Sequence, residues 1–375
     1  MDIKRRQTLA TLAAGTASLA LPRFALAQGA PVRLGVLIPL TGSTSQFGAS
    51  MGKAAAAAAD EINTAGGING RKVELVVEDD QSNPEAAVRA ARKLIDVDHV
   101  VAICGTYASS VTSAVAPLCW ESKTMLMTAS GADSITALPH HGYIVRTSPT
   151  SSLQGSRIAA FAMEQGAKKL AFVAPQTPFS QLYIDVITAA AKHSGAQATG
   201  LIYEDKKGSY RSEVDRVLKF QPDAILFGGY VPDTSVVMKD LYRAGYNKLR
   251  AGLAFGVNQK LVEALPADIS EGAWALTPSA SVNSQAYKRL IAKLKVDALD
   301  PYSCQVFDHI HLAALSLAMS KSEPSGTSIR DNIRKIARYD GASSPCEFAD
   351  NGDVKGVFFR YEQIEGGKLV TRKIA

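Results

Sequence analysis

The residues best placed to do chemistry are Ser109 and Ser110, within the run VAICGTYASSVTS at 101–113. The apolar triplet 101–103 reads as a buried strand, 105–108 as a turn, and the two serines as the opening of a helix. The first turn of a helix presents N–H groups without intrahelical acceptors and a partial positive charge. An anion docked there needs no cationic side chain, and serine hydroxyls add donors. The chemistry is the capture of a carboxylate. Taken alone, Ser109 reads first as an ordinary N-cap, so the decision falls to the rest of the chain.

No catalytic constellation accompanies these serines. Residues 48–54, GASMGKA, are one residue short of a phosphate loop and carry Ala54 where magnesium needs a hydroxyl. No GxGxxG follows the first strand, and no GxSxG elbow occurs. His309 and His311 are two apart on a helix and point to different faces. His140 and His141 follow Pro139 in a loop and read as solvent-exposed. No Cys/His cluster has zinc spacing. The expectation is a protein that is not an enzyme and uses no cofactor or metal.

The elements that must position the serines alternate. Strand patterns fall at 32–38, 73–77, 100–103, 125–128 and 143–146, with helical patterns between them. A second series follows, with strands at 170–174, 198–203, 224–227, 250–253 and 273–277. Helical segments at 285–298, 305–319 and 328–337 come next, then a tail of short strands over 346–370. This alternation predicts an α/β chain of two doubly wound lobes with parallel sheets. Ligands of such sheets bind beyond the carboxyl ends of the strands. Loops 41–48, 105–109, 129–134, 175–180, 228–233 and 254–258 then line one cleft. Five aromatic residues fall in those loops: Phe47, Tyr107, Phe179, Tyr230 and Phe255. Singly each reads as packing; together they predict an apolar or aromatic ligand body.

Composition sets the compartment. The chain has 375 residues, 46% hydrophobic and 20% charged, enough for two cores. Lys4-Arg5-Arg6, an apolar run at 8–21 and Ala25-Leu26-Ala27 read as a signal peptide over 1–27, cleaved after Ala27. The Arg5-Arg6 pair is similar to a twin-arginine signal, and a general secretory route fits the same residues. The signal holds half of the net charge of +6, so the rest carries about +3, without a basic stripe for nucleic acid. Four cysteines permit two disulfides. The local pairs Cys104–Cys119 and Cys304–Cys346 are favoured over buried free thiols.

Several landmarks match a known family in order and at fitting intervals. They are GVLIPLTG at 35–42, INTAGGING at 62–70, EDDQSNP at 78–84, residues 105–110, Arg146-Thr147 with Gln154-Gly155, GGYVPD at 228–233 and Phe307-Asp308. The chain resembles the periplasmic substrate-binding proteins of branched-chain amino acid ABC transporters. The resemblance implies two lobes joined by a three-segment hinge, 31–148 with 278–340 and 149–277 with 341–375. It implies a monomer in the periplasm that closes on a small carboxylate ligand and passes it to an inner-membrane ABC permease; a ligand-sensing module of the same fold is the alternative reading, and an exported enzyme ranks below both.

The resemblance also implies roles. The ligand carboxylate is held at the positions of Ser109 and Ser130, Phe47 packs on the ligand, and Tyr230 closes over it. The two acids that hold an amino acid's ammonium fall at Ser151 and Phe255, and no acid occurs anywhere in 250–261. A buried ammonium without a counter-charge is costly. The expected ligand is therefore a carboxylate lacking the amine, such as an aromatic or keto acid. Asp133, in a cleft loop, is a candidate substitute acid and keeps a branched-chain amino acid-like ligand open as the other reading.

Overall fold

The computed structural model describes residues 29–374 except Pro178 and Ser279. The signal peptide expected at 1–27 lies outside the described residues. In the first lobe, β1 (Val32–Ile38), α1 (Gly48–Thr64), β2 (Val73–Asp79), α2 (Pro84–Arg92), β3 (Ala102–Gly105), α3 (Ser109–Glu121), β4 (Met125–Thr128), α4 (Ser134–Ala137) and β5 (Ile144–Arg146) follow in turn. The strands form one parallel sheet in the order β2-β1-β3-β4-β5. β1, β3, β4 and β5 are buried along nearly their whole length, which is why they read as unbroken apolar runs.

The second lobe is built from α5 (Ser151–Glu164), β6 (Lys169–Pro175), α6 (Ser180–His193), β7 (Gln197–Tyr203), α7 (Arg211–Leu218), β8 (Ala224–Phe227), α8 (Val231–Arg243), β9 (Leu249–Leu253), α9 (Gln259–Ala264), α10 (Ala267–Ser270) and β10 (Trp274–Pro278). Its parallel strands repeat the first order, β7-β6-β8-β9-β10. In each sheet the order reverses beside the first strand, between β1 and β3 and between β6 and β8. Those are the crevices where such sheets take ligands.

The chain then returns. α11 (Gln285–Leu294), α12 (Pro301–Ala318) and α13 (Gly326–Ile333) pack on the first lobe, with α12 against α1 and β3. After the two-residue strands β11 (Tyr339–Asp340) and β12 (Pro345–Cys346), β13 (Phe359–Glu365) and β14 (Lys368–Ile374) extend the second sheet antiparallel from β10. The sequence pattern predicts a start for α12 at residue 305. The helix begins at Pro301 because Asp300 caps it, accepting from the Ser303 N–H at 2.9 Å, and proline suits the first helical position. Residues 342–354 bond to α12 and β5, and pairing with the second sheet starts at Phe359.

The expected disulfides do not form; all four cysteines are buried free thiols. Side chains alternate across a strand. Ala102 and Cys104 therefore face the α1/α12 side of the first sheet, while Cys119 on α3 packs with the opposite face. Cys346 turns its thiol to the Ser344 carbonyl at 3.4 Å rather than to Cys304. Burial pushes the Cys119 thiol up to about 12 and the other three higher, so none is a ready nucleophile. His140 is also not exposed as expected. It is 6% exposed, with Nε2 3.1 Å from the Asn351 carbonyl oxygen.

Candidate functional site

β3 ends on Gly105, whose φ of +116° suits glycine. A Cβ there would lie 2.7 Å from Ile38 Cγ2 and 2.8 Å from the Leu37 carbonyl oxygen. Gly105→Ala is expected to lower stability by about 1–3 kcal/mol, the cost of a forced backbone, and to weaken ligand binding with it. Chemical denaturation alongside a ligand titration checks both.

Beyond this turn, Thr128 at the end of β4 organises the loops. Its hydroxyl donates to the Thr106 carbonyl at 2.7 Å, accepts from the Thr106 hydroxyl at 2.9 Å and accepts from the Ser130 N–H at 3.0 Å. The loops after β3 and β4 are thereby locked together, and Ser109 Oγ comes 2.9 Å from Ser130 Oγ. Ser109 is the first residue of α3, whose N-cap is Ala108 with no side-chain cap. The N–H groups of Ser109, Ser110 and Val111 have no acceptor among the described residues. The start of α5 is the reverse. Ser151 N–H donates to the Gly131 carbonyl at 2.7 Å, Ser152 N–H to Asp133 at 3.0 Å, and Leu153 N–H to Thr150 Oγ1 at 3.0 Å. One helix mouth is open and the other is closed by the protein itself.

The open mouth faces a cleft lined from both lobes. Each lobe brings an aromatic cluster to it. In the first, Phe47, Tyr107 and Tyr302 meet pairwise with ring centroids 4.6–5.2 Å apart. In the second, Phe255 meets Phe179 at 6.0 Å and Tyr230 at 5.5 Å, and Tyr183 packs edge-on to Phe179 at 5.8 Å. Such ring pairs contribute about 0.5–1.5 kcal/mol each beyond area burial. The Gln46 side-chain amide donates across the cleft to the Phe255 carbonyl at 3.5 Å. Gly256 makes the second rim possible, since a Cβ there would lie 2.0 Å from the Gly229 carbonyl oxygen.

Of the nine residues singled out from sequence, six line this cleft: Tyr107, Ser109, Ser151, Phe179, Tyr230 and Phe255. Phe47 supports Tyr107 and Tyr302 from behind, and Ser130 orients Ser109. Asp133 is not among the lining residues, because its carboxylate caps α5 through the Ser152 N–H. Sequence reasoning missed Ser148, Gln154, Tyr183 and Tyr302, which also line it. Two of these carried a signal. Tyr183 lies one helical turn beyond Phe179, and Asp300-Pro301 marks a helix start directly before Tyr302.

No Asp, Glu, Lys, Arg or His is among the described lining residues. Burial pushes the phenol groups of Tyr107, Tyr183, Tyr230 and Tyr302 up, Tyr230 to about 12, so all four stay neutral hydroxyls at physiological pH. The cleft can therefore offer N–H groups, hydroxyls and ring faces, and no formal charge.

Residues 31–362 match the family model described as periplasmic binding protein. The chain belongs to that family. Two curated family relatives are 26% identical. One is the leucine-, isoleucine-, valine-, threonine- and alanine-binding protein of Pseudomonas aeruginosa, with 98% of each chain covered. The other is the Leu/Ile/Val-binding protein of Escherichia coli K12, with 96% of each covered. Among solved structures, a leucine-binding protein of Thermotoga maritima superposes with a TM-score of 0.84 at 22% identity, covering 92% of this chain and 98% of that one. A solute-binding protein of R. palustris in complex with 4-hydroxybenzoate gives 0.80 at 20% identity, covering 92% and 96%. These likenesses place the chain in the two-lobed fold of periplasmic binding proteins.

Proposed function

We propose that this chain is the periplasmic solute-binding component of an ABC transporter and that its ligand is an apolar carboxylate without an amine, an aromatic or keto acid. The observation that carries the ligand class is a cleft with an open helix mouth and no acidic residue among its described lining. The carboxylate docks on the Ser109–Val111 N–H groups and the Ser109 hydroxyl, and the ligand body lies between the two aromatic clusters. The family resemblance puts Ser151 and Phe255 at the positions where an amino acid's ammonium needs acids. The signal peptide at 1–27 delivers the chain to the periplasm, where it acts as a monomer and hands the ligand to an inner-membrane permease. Family membership supports the binding role, and the 4-hydroxybenzoate complex of a protein with this fold supports the ligand class.

Calorimetric titration with 4-hydroxybenzoate, 4-methyl-2-oxopentanoate and leucine tests the reading. A buried ammonium without its partner costs several kcal/mol. Since each 1.4 kcal/mol is tenfold in affinity, leucine should bind at least about 100-fold more weakly than the better acid. Leucine binding more tightly than either acid overturns the ligand class.

A further inference from the structure

Phe307-Asp308 and Arg146-Thr147 are motifs that the cleft does not use. They lie away from it, at the junction of the lobes. The chain crosses between lobes after β5, after β10 and ahead of β13. Asp308 and His309 are consecutive on α12, fully buried, and each holds a different crossing. His309 Nε2 lies 2.7 Å from Thr147 Oγ1, on the first crossing. The Asp308 carboxylate accepts from the Ala342 N–H at 2.8 Å, the Ser343 N–H at 2.8 Å and the Ser343 hydroxyl at 2.5 Å. The Ala342 carbonyl in turn accepts from the Ser281 N–H at 2.9 Å, on the second crossing.

The third crossing joins through Arg146, which precedes Thr147. The Arg146 N–H donates to the Gly352 carbonyl at 2.9 Å, its carbonyl accepts from the Val354 N–H at 3.1 Å, and its guanidinium meets Asp353. Close approach is built in at Gly341, where a Cβ would lie 2.6 Å from Asp308 Oδ2. A hinge needs only a few residues to absorb backbone rotation. Here the residues that must not rotate freely are tied to one rigid helix.

We propose that Asp308 and His309 are positioning residues that pin the crossings to α12 and so set the angle at which the lobes rest. The pins hold the narrow cleft seen here. Loosening them spreads the lobes over wider angles and lowers the fraction of molecules ready to hold a ligand. Apparent affinity falls by that fraction whatever the ligand is. A pocket residue behaves differently, because its loss discriminates between ligands.

Thr147→Val removes one buried hydrogen bond with little change of shape, and Asp308→Asn exchanges an acceptor-only group for an amide. Small-angle scattering of both ligand-free variants should show a larger radius of gyration than the wild type. The dissociation constants of 4-hydroxybenzoate and of 4-methyl-2-oxopentanoate should rise by the same factor, about tenfold for Thr147→Val, the consequence of one lost buried bond. If Asp308→Asn does not fold, Thr147→Val decides. An unchanged radius of gyration in Thr147→Val overturns the proposal, as does weaker binding of one ligand with the other unaffected. The affinity measurement rests on the ligand class proposed above. The scattering measurement uses no ligand, so if neither acid binds the wild type, the ligand class fails while scattering still decides the hinge.

Discussion

Ser109→Asp is expected to abolish binding of an acid without destabilising the protein. The new carboxylate would sit at the uncapped start of α3, beside N–H groups that have no acceptor among the described residues. An acidic side chain in the first turn of a helix stabilises it by about 0.3–1 kcal/mol. It can still accept from the Ser130 hydroxyl, which is 2.9 Å from Ser109 Oγ. An acid ligand would meet a like charge where it now meets donors. Two charges about 4 Å apart at an effective dielectric constant of about 20 repel by about 4 kcal/mol, close to a thousandfold in affinity. Calorimetry and a thermal melt on the same sample read both signs. Ser109→Ala removes one hydroxyl and should cost only about tenfold. If Ser109→Asp binds 4-hydroxybenzoate as the wild type does, the ligand's carboxylate is not at α3.

The largest loss of stability is expected from Arg146. Its side chain is wholly buried, and the guanidinium donates to the Ala132 carbonyl at 2.6 Å, to Thr136 Oγ1 at 2.9 Å and to Asp353 Oδ1 at 3.0 Å. Arg146→Ala leaves the Ala132 carbonyl and Thr136 Oγ1 without this donor and takes the guanidinium from Asp353, whose partly exposed carboxylate keeps the Asn351 amide. Each buried acceptor left unpaired costs about 1–3 kcal/mol. Urea denaturation should show that drop as a lower midpoint. Arg146→Lys should recover only part of it, since an ammonium cannot reproduce the planar fork that reaches three acceptors at once. A midpoint within error of wild type for Arg146→Ala would mean that this cluster does not hold the junction together.

Much of the architecture was legible because it is written in local patterns. Parallel strands covered on both faces must be apolar throughout, so β1, β3 and β4 announced themselves. The open helix start at Ser109 was legible for the same reason, since a turn followed by two serines specifies a helix mouth within six residues. Cysteine pairing was not. Cys104 and Cys119 are close in sequence, but strand alternation sends them to opposite faces of one sheet. The place of Asp133 was equally hidden, because its partner, the Ser152 N–H, lies 19 residues further on.

By itself, the sequence determined two doubly wound lobes and the carboxyl-end loops that line one cleft. These depend on residue types and on periods of a few residues, whereas the missing ammonium-binding acids are what the family resemblance implies. Only the tertiary structure decided that the cleft lining carries no formal charge among its described residues, that Tyr183 and Tyr302 complete it, and that Asp308 and His309 reach the crossings. Those facts depend on contacts between segments far apart in the chain, such as Thr147 with His309, and no local period encodes such a meeting.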